Sequence, residues 1–250
     1  MENYKIWNET KKEMKYLYIH EIIIIIKQNP QQIFYKYIDD NKVLINNDIV
    51  VNTTFICHRI NTINELNSIP EIFGIELDIR DTNYNKKLFL AHDPYINGED
   101  FENYLKEYHH NTLILNIKSE RTEPLCIELM HKYNIHKYFF LDSTTPMMYL
   151  LSKTYDNHNI ACRFSEFEPI EYYNTVQNMV SWVWVDCFTE QPLTRELYDM
   201  IKKNNTKICI VSPELQQQPN KIKTYRDHFI SNNILPDAIC CKLYNIIHWI

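Results

Sequence analysis

The sequence predicts an α/β fold, a (β/α)8 TIM-type barrel, and three observations lead to this prediction. Short apolar segments rich in β-branched residues recur after residue 51, and helical stretches of about 10 to 15 residues separate most of them. Such alternation is typical of βα units around a parallel sheet. The chain has 250 residues, and a typical barrel of this kind needs about 250. One barrel would therefore account for nearly the whole chain.

The apolar segments are the predicted strands. They cover residues 54–57, 74–79, 88–91, 113–117, 138–141, 160–163, 182–185, 207–211 and 238–241. The stretch between 79 and 88 is too short for a crossover helix, because a parallel connection needs about a dozen residues or more. Residues 88–91 are therefore expected to pair with the preceding strand as a hairpin, which leaves eight strands for the barrel.

The predicted helices follow the strands in turn, at residues 99–110, 123–133, 145–155, 168–179, 194–204 and 220–231. In a barrel built this way, the polar residues at the carboxyl ends of the strands face one common mouth. Candidate functional residues are therefore sought at the strand ends.

Residues 1–50 are predicted to form an N-terminal, partly helical extension to a barrel domain at 51–250. Apolar residues of the extension recur at helical spacing at Met14, Leu17, Tyr18, Ile22, Ile25 and Ile26. Pro30 marks the expected end of this helix. Residues 33–38 are expected to be helical too, and 42–51 extended with a turn at 46–48. We expect a capping extension packed on the barrel, with a partner-binding arm as the alternative.

The composition excludes several classes of protein. There are 26 basic and 32 acidic residues, a net charge of −6, whereas a nucleic-acid-binding protein usually shows a basic patch and a high pI. We therefore expect no nucleic-acid partner, and the oligomeric state stays open. The only two glycines, Gly74 and Gly98, exclude a glycine-rich phosphate loop.

Targeting and cysteine patterns indicate a cytoplasmic protein. The apolar run at 22–26 is only five residues long, far below the about 20 of a transmembrane helix, and the sequence start has no signal-peptide core. The seven cysteines are an odd number without a CxxC spacing. We therefore expect a reducing compartment and no disulfide framework.

Two carboxylates predict a metal site. Glu76 and Asp78 are two residues apart on a predicted strand, so their side chains point to the same face. In a barrel that face is the interior, where two carboxylates are costly to bury unless a cation neutralises them. Oxygen ligands suit Mg²⁺ or Ca²⁺. The alternative is an exposed strand face with ion pairs to Arg80 or Lys86.

Two histidines predict acid–base chemistry. His58 and His92 each follow an apolar strand directly, and a converging pair of histidines can divide general base and general acid work near neutral pH. A satisfied core histidine, or a zinc site shared with the carboxylates, is the alternative. Arg59 and Lys118 supply cations that suit a phosphate, unless they are simply solvated.

Four motifs in order carry a family resemblance. His58-Arg59 after an apolar strand, GxExDxRD at 74–81, LxLAHDP at 88–94 and LILNIK at 113–118 resemble the glycerophosphodiester phosphodiesterase family, which belongs to the phospholipase C-like TIM-barrel phosphodiesterases. The resemblance is strong over residues 55–118 and weaker beyond. It implies a TIM barrel, and an enzyme of the phosphoric diester hydrolase class.

The resemblance also implies roles for residues. His58 and His92 would be the catalytic acid–base pair, and Glu76 and Asp78 would bind a divalent cation, Mg²⁺ or Ca²⁺. Arg59 and Lys118 would contact the phosphate. Further residues at later strand ends and near the end of the chain would line the pocket, namely Arg163, Asp186, 212–214 and Trp249. The resemblance further implies a small-molecule phosphodiester substrate. Separately, the placement of the four motifs at strand ends predicts that six side chains converge on one cavity at the mouth, namely those of His58, Glu76, Asp78, His92, Asn116 and Lys118.

The chain departs from the family pattern at two positions. Asn116 stands where the third metal carboxylate is expected, and Ile60 stands where a glycine usually follows the His-Arg pair. Two functions are therefore weighed: a metal-assisted phosphodiesterase acting on glycerophosphodiesters or related headgroups, and a catalytically degenerate barrel that binds a phosphorylated ligand or partner without turnover. Whether water or a neighbouring substrate hydroxyl would be the nucleophile stays open.

Overall fold

The computed structural model describes residues 1–81 and 87–250. Its first elements are β1 (Asn3–Asn8), β2 (Glu13–Tyr18), α1 (Ile19–Gln28), β3 (Phe34–Ile38), β4 (Asn41–Leu44) and α2 (Asn47–Asn52). Strands β5 to β14 then cover Thr54–Cys57, Gly74–Asp81, Leu88–Leu90, Glu99–Asp100, Leu113–Ile117, Tyr138–Leu141, Ala161–Phe164, Trp182–Val185, Lys207–Val211 and Ala238–Cys241. Helices α3 to α10 cover Ile63–Ser68, Phe101–Lys106, Glu123–Lys132, Thr145–Thr154, Ile170–Val176, Arg195–Lys203, Ile222–Ser231 and Ile246–Trp249.

The predicted barrel is confirmed. Eight strands in the described part of the chain pair in the order β10-β9-β6-β5-β14-β13-β12-β11, and every pairing along this path is parallel. The two ends of the path meet at a parallel bridge between Phe140 and Ile160. There the Phe140 N–H donates to the Asn159 carbonyl at 2.8 Å. The sheet thus returns to its first strand, as a barrel requires.

The barrel strands are short apolar runs because both of their faces are buried. Alternate residues of seven strands pack together inside the barrel, where Phe139 and Trp182 stack with ring centroids 4.5 Å apart. The other face of the strands belongs to the larger core beneath the helices. Gly74 begins β6, where a Cβ atom would lie 2.6 Å from the Thr112 carbonyl oxygen. The strand start therefore requires a glycine.

The predicted hairpin is also confirmed and has one strand more than expected. Strand β7 pairs antiparallel with β6, and β8 pairs antiparallel with β7. Residues 99 and 100 thus form a strand where the sequence predicted helix. Helix α4 begins only at Phe101, because the Asp100 carboxylate accepts the Asn103 N–H at 2.9 Å and caps it. Gly98 permits the close approach of β7, since a Cβ there would lie 1.9 Å from the Leu90 carbonyl oxygen.

The N-terminal extension is an antiparallel four-stranded sheet in the order β2-β1-β3-β4, with α1 beside it. The predicted helix over Met14 to Ile26 is half wrong, because 14–18 form β2 and α1 begins at Ile19. Its predicted end before Pro30 is correct, since α1 stops at Gln28. Apolar residues of β2 coincide with the helical spacing that α1 continues, and the pairing of β2 with β1 decided the structure.

Two more predictions for the extension are wrong. Residues 33–38 contain strand β3 rather than a helix, and alternate side chains of that strand, Phe34 and Lys36, are buried. Residues 42–51 are not extended throughout, because β4 ends at Leu44 and α2 follows. Asn46 caps α2 by accepting the Ile49 N–H at 3.0 Å, so the predicted turn is a helix start.

A buried lysine ties the extension to the last helix. The fully buried Lys36 ammonium donates to the backbone carbonyls of Ile247 and Ile250. Burial is the main cause that lowers the pKa of Lys36, to about 7. All seven cysteines, each within the described ranges, are buried free thiols. Among the helices that the structure describes, none is both long and apolar enough to cross a membrane.

Candidate active site

The strand ends bring the first motifs together at the carboxyl mouth of the barrel. His58 and Arg59 follow β5 directly, Glu76 and Asp78 lie in β6, and Asn116 lies in β9. Strands β6 and β9 pair with Asp78 beside Asn116. Alternation along β6 points both carboxylates to one face. Short contacts then link these residues into one cluster.

Burial decides between the two interpretations of the carboxylates. Glu76 is 0% and Asp78 1% exposed, so the exposed strand face weighed as an alternative is wrong. Arg80 donates instead to two backbone carbonyls, of His92 at 2.7 Å and of Lys118 at 3.2 Å. Lys86, the other partner considered, lies outside the described residues.

Glu76 is held by hydrogen bonds on both of its oxygens. Oε2 accepts the backbone N–H of Arg59 at 2.7 Å, and Oε1 accepts the side-chain amide of Asn116 at 2.8 Å. Arg59 has a φ of 57°, a left-handed conformation that is uncommon without glycine. This conformation accompanies the close approach of its N–H to Glu76. The His58 Nε2 atom lies 3.7 Å from Glu76 Oε2.

Asp78 is clamped by a residue that the sequence analysis missed. Asn61 donates its side-chain amide to Asp78 Oδ2 and accepts the Asp78 backbone N–H, both at 2.9 Å. Lys118 Nζ lies 3.7 Å from Oδ1, and Arg59 Nε lies 3.8 Å from Oδ2. Burial and the nearby Glu76 raise the pKa of Asp78, against the opposing effects of Asn61 and Lys118. The available signal for Asn61 was its place just before the Thr62–Glu65 capping box of α3.

His58 is a neutral imidazole at pH 7. Burial first, and then the positive charges of Lys242 and Arg59, lower the pKa of His58 to about 3. Lys242 Nζ lies near because it donates to the His58 carbonyl oxygen at 3.0 Å. The imidazole Nδ1 is buried without a hydrogen-bond partner in the described part of the chain. The ring is thus in the unprotonated form that a general base needs, while its surroundings disfavour the protonated form.

His92 is fixed at the end of the hairpin. Its Nδ1 and Asp93 Oδ1 are 2.7 Å apart, and this hydrogen bond is the main cause that lowers the pKa of Asp93. The Ala91 N–H donates to the Asp78 carbonyl at 3.0 Å, which sets His92 beside the carboxylates. His58 and Asp78 lie near enough to His92 that a positive charge on its ring would lower the pKa of each. The structure therefore brings the two histidines to the same site.

A row of alternating charges extends the site along the mouth. Lys118 Nζ donates to Asp142 at 3.2 Å, Arg163 Nε donates to the same carboxylate at 2.7 Å, and Arg163 also donates to Asp186 at 2.8 Å. Burial alone would raise the pKa of Asp142, but Arg163 and Lys118 together lower it. Gln216 donates to Asp186 at 2.8 Å. Asp142 was missed, although its position directly after a predicted strand was a usable signal.

Trp249 lies beneath the mouth rather than in it. The side chain is fully buried and stacks near Phe229, and its indole N–H donates to Ser212 Oγ at 2.7 Å. Ser212 in turn donates to Glu214, which accepts the Lys242 N–H at 3.0 Å. The predicted substrate contact by Trp249 is therefore wrong, because a fully buried ring has no surface to offer. Through Ser212 and Glu214, the buried Trp249 side chain instead supports the segment that carries Lys242.

The donor atoms suit a hard cation. Asp78 Oδ1 and Asn116 Oδ1 are both buried and, within residues 1–81 and 87–250, without a hydrogen-bond partner. Such oxygens are costly to bury unless something pairs with them. Within the same ranges, no group of three or more His, Cys, Asp or Glu side chains could hold a metal ion by itself. Two carboxylates and an amide oxygen remain as candidate ligands.

Three solved structures to which this chain is similar are phosphodiesterases. A glycerophosphodiester phosphodiesterase from Agrobacterium tumefaciens is similar with a TM-score of 0.56 at 10% identity, over 75% of this chain and 96% of that one. An Oleispira antarctica phosphodiesterase, solved with its product sn-glycerol-3-phosphate, gives 0.56 at 12% identity, over 79% and 95%. A glycerophosphoryl diester phosphodiesterase from Parabacteroides distasonis gives 0.53 at 13% identity, over 95% and 90%.

These likenesses confirm the fold that the four motifs imply. The chain has the barrel of the glycerophosphodiester phosphodiesterases, at a sequence identity of 10% to 13%. No protein-family model matches the sequence, and no curated protein gives a significant match. The structural likeness therefore establishes the fold, and the chemistry has to be argued from the side chains.

Proposed function

We propose that this chain is a phosphodiesterase that hydrolyses glycerophosphodiesters or related phosphodiester headgroups with the help of a divalent cation. The observation that carries the proposal is the convergence of two histidines on a buried carboxylate pair at the mouth of a barrel with this fold. His58, Glu76, Asp78 and His92 supply the histidines and the carboxylates.

The two histidines have different surroundings, and this favours different roles. His58 is buried, and with its pKa lowered to about 3 it is unprotonated at neutral pH, as a general base must be, but it is a weak base until its pKa rises. A bound phosphodiester anion would offset the positive charges of Lys242 and Arg59. We therefore expect the pKa of His58 to rise toward neutrality in the complex.

His92 suits the general acid. Its Nδ1 shares a hydrogen bond with the Asp93 carboxylate at 2.7 Å, which balances a positive charge on the ring and leaves Nε2 for the substrate. In this role His92 would give its proton to the leaving alkoxide while the P–O bond breaks. Groups whose surroundings differ in this way are typical of acid–base pairs.

The phosphate would be bound by the two cations nearest the carboxylates. Arg59 is 43% and Lys118 18% exposed at the side chain, so both reach the mouth without being fully solvated. Arg163 is held between Asp142 and Asp186 and would contact the substrate from the far side of the row. Glu76, Asp78 and Asn116 would hold Mg²⁺ or Ca²⁺, which when bound neutralises charge on the phosphoryl oxygens.

A second function rests on Asn116. Its amide donates to Glu76 where the family pattern has a carboxylate, so the cation site has one negative charge fewer. A site that holds its metal weakly would bind a phosphorylated ligand without turning it over. This is the competing hypothesis that the experiment must exclude.

Turnover of soluble glycerophosphodiesters tests the proposal. The wild type is assayed with Mg²⁺, Mn²⁺ and Ca²⁺ in parallel, and with EDTA. His58→Ala and His92→Ala are each expected to lose about 10²–10⁴-fold in rate, with a nearly unchanged melting temperature. His136→Ala is the matched control, because His136 is exposed and precedes strand β10 at the opposite end of the barrel. An inactive wild type that still binds glycerol phosphate would support the non-catalytic alternative.

A further inference from the structure

The outer face of the N-terminal sheet carries a row of side chains that crosses all four strands. Tyr16 on β2 pairs with Lys5 on β1. The Lys5 ammonium lies 4.7 Å from the centroid of the Tyr37 ring on β3, and Tyr37 pairs in turn with Lys42 on β4. Aromatic and basic side chains therefore alternate across the sheet from one edge to the other.

A second row lies beside the first and is apolar. Trp7 on β1 pairs with Met14 on β2 and with Tyr35 on β3, and Tyr35 pairs with Leu44 on β4. Lys42 reaches over this row, with its ammonium 4.1 Å from the ring centroid of Tyr35 and 5.7 Å from that of Trp7. The two rows together are called the aromatic face.

The aromatic face is open to solvent, whereas the other face of the sheet is buried. Alternation along the strands puts Ile6 and Phe34 on the other face, where they join the core that α1 shares. On the aromatic face, Tyr16 is 68% and Leu44 57% exposed. Trp7 is half-buried, while the other three tryptophans are buried. A group of exposed aromatic side chains is typical of an interaction surface.

The charges of the aromatic face favour an anionic ligand. Lys5 and Lys42 lie on the face, and Lys12 lies in the turn between β1 and β2 at its border. Glu9 accepts hydrogen bonds from the ammonium groups of Lys12 and Lys42, so three lysines face one carboxylate among the described residues of this surface. The chain as a whole has a net charge of −6. Attraction at an exposed surface depends instead on the charges within a Debye length, about 8–10 Å.

Other charged residues of the extension limit the aromatic face. Glu2, Asp39 and Asp40 line an open groove between the extension and the C-terminal segment, and they would repel a polyanion from that end. Glu13 and Lys15 point to the other face of the sheet and form an ion pair with each other at 3.3 Å. A polyanion would therefore lie over the two rows rather than in the groove.

Single-stranded nucleic acid has the chemistry that fits these rows. Unpaired bases stack on aromatic side chains, and lysines between the rings contact the phosphates. Neighbouring strands are about 4.8 Å apart, so four strands span about 14 Å, which is room for the two or three bases that an RNA-recognition sheet stacks. A neutral carbohydrate also stacks on aromatic rings, but it has no charge for the lysines to neutralise.

We propose that the aromatic face binds single-stranded nucleic acid. Bases would stack on Tyr16, Tyr37 and Trp7. Lys5 and Lys42 would contact the phosphates, and Lys42 would exchange its positions over two rings for the backbone of the ligand. The inference goes beyond the proposed function and does not rest on it, because these residues all precede the barrel strands.

Fluorescence anisotropy with labelled oligonucleotides tests the inference on the wild type alone. Short oligo(U) and oligo(dT) are compared at low salt with a duplex and with an abasic oligomer of the same length, which keeps the phosphates and lacks the bases. The wild type should bind the single strands at least about tenfold more tightly than the duplex or the abasic oligomer, because only unpaired bases can stack on the rings. Oligo(U) against oligo(dT) distinguishes RNA from DNA as the source of this chemistry.

Substitutions on the aromatic face separate stacking from charge. Tyr16→Ser/Tyr37→Ser should weaken binding of the single strand at least about fivefold, whereas Tyr16→Phe/Tyr37→Phe should retain it, because the phenyl ring still stacks. Lys5→Gln should reduce the slope of log K against log salt by about 0.7. Tyr149→Ser and Lys153→Gln are the matched controls, because both residues are exposed on α6 of the barrel.

Each result decides on the aromatic face. Absence of single-strand binding by the wild type, equal binding of the abasic oligomer or the duplex, or unchanged affinity of the double serine variant would overturn the inference. The abasic comparison needs only the wild type, so it decides even if a variant fails to fold. The double serine variant should keep wild-type turnover of soluble glycerophosphodiesters. An inactive wild type would refute the proposed function and leave the binding test unaffected.

Discussion

Replacing Asn116 by aspartate changes a hydrogen-bond donor into a negative charge with almost no change of shape. The Asn116 amide nitrogen lies 2.8 Å from Glu76 Oε1, so in Asn116→Asp two carboxylate oxygens would face each other at that distance. Both side chains are buried, with Asn116 7% exposed. Without a cation, two ionised carboxylates about 4 Å apart repel by about 4 kcal/mol at an effective dielectric constant near 20.

Proton uptake sets an upper limit to this penalty. An unperturbed aspartate has a pKa of about 3.9, and each pH unit above it costs about 1.4 kcal/mol to keep the group protonated. In Asn116→Asp, the protonated carboxyl group could donate to Glu76 as the amide does. The folded-state pKa of the new carboxyl is thus raised above the unfolded value, and stability falls as pH rises. The loss should be about 1.5 kcal/mol at pH 5 and about 4 kcal/mol at pH 7.

A bound cation offsets much of this loss of stability. Mg²⁺ or Ca²⁺ held by three negative ligands binds more tightly than one held by two, and a ligand at 100 times its Kd stabilises by about 2.7 kcal/mol. We therefore expect Asn116→Asp to melt about 10 °C below the wild type at pH 7 in EDTA. Saturating Mg²⁺ or Ca²⁺ should restore much of this loss.

The assay is thermal unfolding at pH 5 and pH 7, with EDTA or with added cation. Asn64→Asp is the matched control, because Asn64 is exposed on α3 and should change stability by less than about 0.5 kcal/mol. A variant as stable as the wild type at pH 7 in EDTA would contradict the contact with Glu76. A pH-dependent loss that no divalent cation restores would contradict the metal site.

Three further outcomes follow from other contacts. Since the pKa of His58 is lowered to about 3 in the folded protein, the unfolded chain binds more protons than the folded chain below about pH 6.5. Urea unfolding should therefore show the wild type losing about 2 kcal/mol from pH 7 to pH 5, and His58→Gln should lack this loss. Gly98→Ala places a Cβ 1.9 Å from the Leu90 carbonyl oxygen. The variant should lose about 3 kcal/mol of unfolding free energy in urea, and its turnover should fall because His92 moves. An unchanged unfolding free energy and turnover would contradict the tight approach of β7 and β8. Arg163→Lys should lower the unfolding free energy by about 1.5–3 kcal/mol, since one ammonium cannot replace both charged hydrogen bonds. If the variant melts at the wild-type temperature, the bridge that Arg163 makes between Asp142 and Asp186 contributes nothing to stability.

Strand positions in the barrel were predictable because a parallel barrel buries both faces of each strand. The segments at 113–117, 182–185 and 207–211 are apolar for most of their length, and the structure gives them the predicted bounds. The hairpin followed from loop length alone, since about a dozen residues are needed for a parallel crossover. These signals are local, and tertiary contacts do not override them.

The N-terminal extension could not be predicted in the same way. Its strands expose one face, and aromatic residues such as Tyr16 and Tyr18 remain on the surface. The helix predicted from the apolar spacing along 14–26 therefore combined exposed residues of strand β2 with the buried face of helix α1. Only pairing between distant segments, such as Ile6 with Lys36, defines this sheet, and a single sequence does not display such pairing.

The candidate site was predictable where residue type and strand position coincide. His58, Glu76, Asp78 and Lys118 all sit in or directly after strands and carry titratable groups. Asn61 was missed because it lies in a loop, and its role depends on two hydrogen bonds to Asp78. Trp249 was misassigned because an aromatic residue near the end of the chain can equally well line a pocket or pack in the core.

The charges at the mouth explain how an asparagine at position 116 is compatible with a phosphodiester substrate. With His58 neutral, the carboxylates Glu76 and Asp78 face the cations Arg59 and Lys118, and Lys118 is shared with Asp142. The immediate site is thus close to neutral before any cation binds. A divalent cation would leave it positive, which favours a phosphodiester that carries one negative charge. A third carboxylate would tighten the cation but remove part of that positive charge. Under the proposed function, Asn116 would trade metal affinity for attraction of the substrate, and the Asn116→Asp variant should show tighter metal binding together with a higher KM.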